Sequence, residues 1–266
     1  LETQRQLDAD IYGTVDVPLL HHIWGVPADS WSLKMLVRGS SPDVYLSNSE
    51  HTEAKLEEYF HVRGDGVVYP GVDVRQFHPD AEPAFTEDRP VVMFVGRFVP
   101  GKGVKELIDA FADLSTEAAL YLIGEGPLRN ELEQLVTEHE LEDDVTFLGT
   151  VPHEEIQHYF TACDVFCLPS YYESFGLVNI EAMACGRSVV TSGLEPIEEY
   201  VVDGANGILV SPGDNSALVS ALERLVESPE LRRKLGENAR ETSLEYSWEE
   251  QAVRFEQYLE TASEMS

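Results

Sequence analysis

Positive charge is scarce in this 266-residue chain. Eighteen Lys and Arg stand against 49 Asp and Glu, only five of the cations are lysines, and the formal net charge is −31. Nucleic-acid binding needs a basic patch that displaces counterions from phosphates, so this imbalance argues against a nucleic-acid partner. An anionic membrane surface would repel the chain for the same reason. Long apolar runs are missing too: none approaches the roughly 20 residues of a membrane span, and no secretory leader opens the chain. Cysteine is limited to Cys163, Cys167 and Cys185. The count is odd, the spacing fits no common zinc pattern and the flanks are apolar. These features read as reduced core thiols of a cytosolic protein. The first residue is Leu1 rather than Met, which reads as a start inside a longer reading frame.

What is abundant is acid, spread through most of the helical segments rather than gathered in a tail. Many carboxylates with few lysines resemble the surface of proteins that work in molar salt, where the Debye length is roughly 3 Å and self-repulsion is screened. The plain alternative is an acidic protein with no such adaptation.

From residue 90 onward the chain alternates short buried strands with amphipathic helices. Strands are expected at Val91–Gly96, Ala119–Ile123, Val145–Leu148, Asp164–Ser170, Ser188–Thr191 and Ile208–Val210. Between them the spacing predicts helices after Gly103, over Leu128–Glu138, over His153–Thr161, after Gly176 and over Ile197–Val202. Asp214 and Ser228-Pro229 open two more. Repeated strand-then-helix units mean a doubly wound parallel sheet, so residues 90–246 are expected to form one complete Rossmann-like α/β domain. Residues 71–89, punctuated by Pro70-Gly71, read as a linker. Residues 1–70 hold two expected strands, around Val17–Trp24 and Asp43–Ser47, and a helix capped by Ser49. They are too few for a full domain and read as an incomplete α/β segment. Ser247-Trp248-Glu249-Glu250 is a capping box opening a final helix over 247–266, with Trp248, Ala252, Phe255 and Leu259 on one face.

The chemistry gathers at the carboxyl ends of the first and fourth strands of that domain, where open parallel sheets bind ligands. The loop Gly96-Arg97-Phe98-Val99-Pro100-Gly101-Lys102-Gly103 carries two cations in a chain that has few. Arg97 as a fork and Lys102 as a point charge suit a diphosphate. The loop lacks the glycine spacing of a dinucleotide fingerprint or a P-loop, and a surface turn with incidental cations is the alternative. The second stretch runs Glu173-Ser174-Phe175-Gly176-Leu177-Val178-Asn179-Ile180-Glu181. Glu173 lies in a loop. Glu181 lies inside an otherwise apolar helix, where an unpartnered carboxylate is costly and sugar or ribose hydroxyls would be suitable partners. The free N–H groups over Ser174, Phe175, Gly176 and Leu177 stand at a helix N-terminus and favour a phosphate. Hydroxyls and phosphate together suggest a nucleotide-sugar. The competing reading makes Glu173 a solvated loop residue and Glu181 a surface one. His21 and His22, at a strand end, are candidates for catalysis or simply structural.

Together these residues resemble the retaining GT-B glycosyltransferases, in particular glycosyltransferase family 4 (group 1). Glu173 and Glu181 match the E-x7-E signature. Pro70-Gly71-Val72-Asp73, Val95-Gly96-Arg97 with Lys102-Gly103, Gly124-Glu125-Gly126-Pro127, Gly149, Asp203-Gly204 through Gly207, and Pro212-Gly213-Asp214 follow in the family's order. The resemblance implies two Rossmann-like domains, with the final helix crossing back to the N-terminal one. It implies that Arg97 and Lys102 hold the diphosphate of a UDP- or GDP-linked sugar, helped by the N–H groups near Phe175. Glu181 would then bind the ribose, Glu173 the donor sugar, and Val151-Pro152 would border the base. Transfer to a hydroxyl acceptor would retain the anomeric configuration and need neither cofactor nor metal. The family's N-domain histidine corresponds to His21 or His22. The acceptor would be a lipid-linked glycan, a polysaccharide or a small molecule. Cytoplasmic location is expected, with peripheral contact at the inner membrane face through N-terminal sequence beyond this chain. The family's N-terminal domain is much longer than residues 1–70, so a binding module or degenerate subunit without transfer activity is the second reading. A GT-B epimerase is a third, less consistent with the E-x7-E pattern.

The charge reading has a direct consequence. Raising KCl from about 0.1 M to about 1 M shortens the Debye length from roughly 10 Å to roughly 3 Å, and the thermal midpoint should climb by several degrees. A midpoint that stays flat or falls across that range removes the high-salt reading.

Overall fold

The computed structural model describes residues 20–23 and 44–265. They divide into two compact units. One holds the described residues up to Gly71 together with the chain from Trp248 onward; the other is Val72–Ser247.

In the smaller unit, β1 (Leu20–Ile23), β2 (Val44–Ser47) and β3 (Gly66–Val67) form a parallel sheet in the order β1-β2-β3. Helix α1 (Glu50–Phe60) starts where the sequence placed it, because Ser49 Oγ accepts the Thr52 N–H at 3.0 Å and satisfies an orphan donor of the first turn. The last helix of the chain, α9 (Trp248–Met265), belongs to this unit. Its Phe255 and Tyr258 pack on Val44, Leu46 and Val68. The inward face is not the expected one. Gln251 is buried and its side chain accepts the Tyr69 N–H at 3.0 Å. That polar anchor turns Gln251, Phe255 and Tyr258 inward and leaves Trp248 and Leu259 exposed.

The larger unit alternates strand and helix throughout: β4 (Val91–Val95), α2 (Val104–Ala112), β5 (Ala119–Ile123), α3 (Arg129–Glu138), β6 (Val145–Gly149), α4 (Ile156–Ala162), β7 (Val165–Leu168), α5 (Leu177–Ala184), β8 (Ser188–Ser192), α6 (Glu195–Glu198), β9 (Ile208–Val210), α7 (Asn215–Glu227) and α8 (Pro229–Leu244). All six strands are parallel, in the order β6-β5-β4-β7-β8-β9. This is the α/β Rossmann-like domain expected from the sequence. The chain winds outward from β4 to β6, returns to β7 beside β4, and winds the other way to β9. The reversal leaves a crevice between the carboxyl ends of β4 and β7.

Two elements start or end elsewhere than expected. Helix α4 begins at Ile156 because residues 152–155 form a turn, closed by the Glu155 N–H to the Pro152 carbonyl at 2.9 Å. Helix α6 covers Glu195–Glu198 with Pro196 in its first turn, and ends before Val202. Helix α5, read as an otherwise apolar helix around Glu181, is enclosed: Asn179 through Ala184 are all buried, and it packs on β7, β8, α4 and α8.

The stretch 71–89, read as a linker, is a strap packed on the larger unit. Val72 and Phe77 are buried, the Val72 N–H donates to the Tyr246 carbonyl at 2.9 Å, and the Ala84 N–H to the His158 carbonyl at 2.8 Å. Arg240 fastens it, donating to the carbonyls of Phe77 at 3.0 Å and Val74 at 3.3 Å while also reaching Ala184 at the end of α5 at 2.8 Å. Turn residues such as Pro, Gly and Asp made this stretch look loose; its order comes from contacts with distant residues. The three cysteines are free and buried, and burial pushes the thiols of Cys163 and Cys185 up to about 12, so they are inert core groups.

Replacing Arg240 with Ala strands three carbonyls together with the strap. Loss of charged hydrogen bonds to partly buried acceptors should lower unfolding stability by about 2–4 kcal/mol in urea titration. A loss under about 0.5 kcal/mol, the size of an ordinary surface substitution, would show that the strap is held by other means.

Candidate functional site

The crevice between β4 and β7 is bordered by two loops that touch. Gly103 caps α2 with φ 70, and a Cβ there would lie 2.0 Å from the Pro169 carbonyl oxygen. Only glycine permits both the left-handed backbone and this approach. The Tyr171 N–H adds a bond to the Gly101 carbonyl at 2.9 Å. The contact brings Lys102 to Glu173: Nζ donates to Oε1 at 2.6 Å, and Ser170 Oγ donates to the same oxygen at 2.8 Å. The Glu173 side chain is only 9% exposed, so the pair is largely shielded from water.

Beyond Glu173 the chain turns into α5 through Gly176, at φ 80 and with no side-chain cap. Phe175 is buried against the rings of Tyr200 and Tyr246, at 5.0 and 5.9 Å between centroids. The Tyr200 hydroxyl donates to the Phe175 carbonyl at 2.8 Å and accepts from Asn179 Nδ2 at 3.1 Å. With the carbonyls tied inward, the N–H groups of Gly176, Leu177 and Val178 have no acceptor among the described residues. They are the orphan donors of a helix N-terminus.

Over the carboxyl ends of β4, β5 and β6, with Glu181 of α5 in its wall, lies a cavity of about 320 Å³. Val95, Gly96, Ile123, Gly124, Val151 and Ile156 supply its largely apolar walls, and Arg97, Glu125, Thr150, His153 and Glu181 its polar groups. Arg97 is exposed and makes no ion pair or side-chain hydrogen bond among the described residues. Glu181 is buried, and burial raises its carboxyl above the usual range. His153, whose Nε2 lies 2.9 Å from Glu181 Oε1, draws it partly back. The His153 ring rests edge-on against Phe77 of the strap, centroids 5.5 Å apart. A larger cleft of about 580 Å³ lies at the other end of the sheet, lined by Arg187, Arg232 and Arg240. Those guanidiniums are occupied by the carbonyls of Cys163 and Cys185, of Leu225 and Val226, and of Ala184, so this cleft is helix-end capping.

Of the residues singled out by sequence, Gly96, Arg97, Val151 and Glu181 line one cavity. Lys102 and Glu173 form an ion pair. Gly176 and Leu177 form the helix start, Ser174 is exposed beside it, and Phe175 contributes backbone while its ring is core. His22 lies on β1, in register with Leu46, in the other unit. Sequence reading missed His153, Ser170, Asn179 and Tyr200. The first two had a signal, flanking Val151-Pro152 and preceding Glu173 by three. Nothing in the sequence links Tyr200 to Phe175.

The family model "Glycosyl transferases group 1" matches residues 78–242, more than half of the chain. This chain belongs to that family. An uncharacterised glycosyltransferase of Methanocaldococcus jannaschii is 31% identical over 230 residues, covering 84% of this chain and 63% of the relative. A D-inositol 3-phosphate glycosyltransferase of Corynebacterium kroppenstedtii is 33% identical over 237 residues, covering 80% of this chain and 52% of the relative. The chain thus spans about half to two thirds of the length of these relatives. Among solved structures, sucrose-phosphate synthase of Thermosynechococcus elongatus superposes with a TM-score of 0.85 at 30% identity, over 98% of this chain and 72% of that one. HepE of Anabaena, solved with UDP and glucose, shares the fold with a TM-score of 0.80 at 23% identity, over 92% and 72%.

Glu181 yields a prediction with a definite sign. Its folded pKa is raised, so between the unfolded and folded values the native state binds more protons than the unfolded one. Stability contributed by the protonated form is complete below the unfolded value and is lost as pH rises through the folded one. Above that window the buried carboxylate is a net cost in the ligand-free chain. Glu181→Gln should therefore raise the melting midpoint at pH 8 relative to wild type and lose that advantage at pH 4. An equal shift at both pH values would detach the effect from ionisation.

Proposed function

We propose that the site binds the donor of a retaining glycosyltransferase, a nucleotide-sugar, and that the chain supplies the donor half of the transfer reaction. The observation that carries this is a cavity at the carboxyl edge of the sheet that holds an unpaired guanidinium, Arg97, and a buried carboxylate, Glu181, on the helix whose N-terminus is uncapped. Arg97 and the N–H groups of Gly176 to Val178 suit a diphosphate. Glu181, partnered by His153 at one oxygen, suits ribose hydroxyls. The Val151 edge of the cavity suits a base. Family membership and HepE's complex with UDP and glucose support the same reading.

In the proposed reaction the bond from the sugar C1 to the β-phosphate oxygen breaks and its electron pair leaves with the nucleoside diphosphate. The acceptor hydroxyl oxygen bonds to C1 and gives its proton to the departing diphosphate oxygen. The negative charge that grows on the departing diphosphate is met by Arg97 and the α5 N-terminus, donors already in place before the bond breaks. Glu173 stands where the sugar would meet it. Retention of configuration rests on the E-x7-E arrangement of Glu173 and Glu181. No described helix is long and apolar enough to cross a membrane; a cytoplasmic site of action, where nucleotide-sugars serve as donors, belongs to this proposal.

Calorimetric titration with UDP-, GDP- and ADP-sugars tests it. One donor class should bind, and Arg97→Ala should weaken it by about ten- to a hundredfold, the worth of a charged contact. The melting midpoint should stay unchanged, since Arg97 makes no side-chain bond within the described chain. Folded protein that binds none of the donors would overturn the proposal.

A further inference from the structure

A carboxylate is an unexpected neighbour for groups that attract phosphate. Glu173 stands in the loop between β7 and α5, three residues before the uncapped Gly176, and its Oε1 takes the Lys102 ammonium at 2.6 Å. Ser170, fully buried, fixes the same oxygen from the other side. The second oxygen, Oε2, has no hydrogen-bond partner among the described residues. The carboxylate is therefore clamped by one oxygen, with the other left to a ligand, and Lys102 is neutralised before any anion arrives. A site built only to hold a diphosphate gains nothing from this.

Resting on the nucleotide-sugar reading above, we propose that the Lys102–Glu173 pair makes this site discriminate a sugar-bearing nucleoside diphosphate from the bare nucleoside diphosphate, with Glu173 as the specificity-determining group. The β-phosphate of a nucleotide-sugar is esterified. It carries one charge and is followed by hydroxyl groups, which donate to Glu173 Oε2. The terminal phosphate of the bare diphosphate carries up to two charges near neutral pH, its second pKa being about 6, and in that form offers only acceptor oxygens. It must either draw Lys102 away from Glu173 or lie against the carboxylate, and like charges placed together are strongly disfavoured. Glu173 thus welcomes hydroxyl donors and repels the terminal dianion. In a transferase the bare diphosphate is the leaving product, so the pair that favours the donor also favours product departure.

Calorimetry on the full chain at pH 8 tests this, using UDP-glucose, UDP and UMP and the parallel set GDP-mannose, GDP and GMP. Glu173→Gln keeps the shape of the side chain and removes its charge. It should tighten the bare diphosphate by about tenfold, loosen the sugar-bearing one, and leave the monophosphate unchanged. Ser170→Ala, which keeps both charges, should retain the wild-type order of affinities. The inference is overturned if Glu173→Gln leaves bare-diphosphate affinity unchanged or shifts the monophosphate equally. It is also overturned if Ser170→Ala reproduces the change, since loop geometry and not charge would then be responsible. Binding of neither set by folded wild-type protein would instead sink the nucleotide-sugar reading, and this inference with it.

Discussion

Nothing larger than a hydrogen atom fits between Cα of Gly103 and the carbonyl of Pro169. That contact joins the loop after β4 to the loop after β7, and the candidate site depends on it. The two strands are neighbours because the winding of the sheet reverses between them, but adjacency of strands alone leaves their loops free to diverge. The missing Cβ lets them close, and closure lets a lysine on one loop reach a glutamate on the other. A β-branched or even an alanyl side chain at Gly103 would push the loops apart, whatever residues they carried.

Behind that contact stands a layer of bonds that never meets the cavity. Tyr200 holds the Phe175 carbonyl, Asn179 holds Tyr200, and Phe175 fills the space between two tyrosine rings. These interactions turn the carbonyls of the loop inward and leave its N–H groups outward, so the start of α5 keeps orphan donors. The strap does similar work on the other wall, where Phe77 braces the ring of His153 against Glu181.

Charge is distributed with the same economy. In a chain of net charge −31, three half-buried arginines of the larger unit are used on backbone: Arg187, Arg232 and Arg240 bind carbonyls at the ends of helices, where cations complement the helix dipole, while Arg89 and Arg129 pair with carboxylates. Arg97 and Lys102 are placed otherwise, one open and one shared with a carboxylate. The contrast separates cations that hold the fold from cations available to a ligand.

The alternation of apolar strands and amphipathic helices was legible in the sequence, because the periods of strand and helix are local and buried parallel strands are short apolar runs. So were caps such as Ser49, Asp214 and Ser228, each a side chain bonding a backbone N–H three residues on. Arg97, Lys102, Glu173 and Glu181 stood out because charged residues beside glycines, or inside an apolar helix, need a reason. The partners of those residues were not legible. His153 meets Glu181 across 28 positions, Lys102 meets Glu173 across 71, and Arg240 meets the strap across 163, distances at which local pattern carries no information. The inward face of α9 was misread for the same reason: both of its faces carry apolar residues, and a hydrogen bond from the Tyr69 N–H to the Gln251 side chain chose between them. The sequence by itself determined which elements form and which residues are chemically conspicuous, since propensity, period and capping act within a few residues. The tertiary structure alone decided which of those residues touch, because pairing, burial and the sharing of a carboxylate between a lysine and a serine arise only when distant loops are brought to one sheet edge.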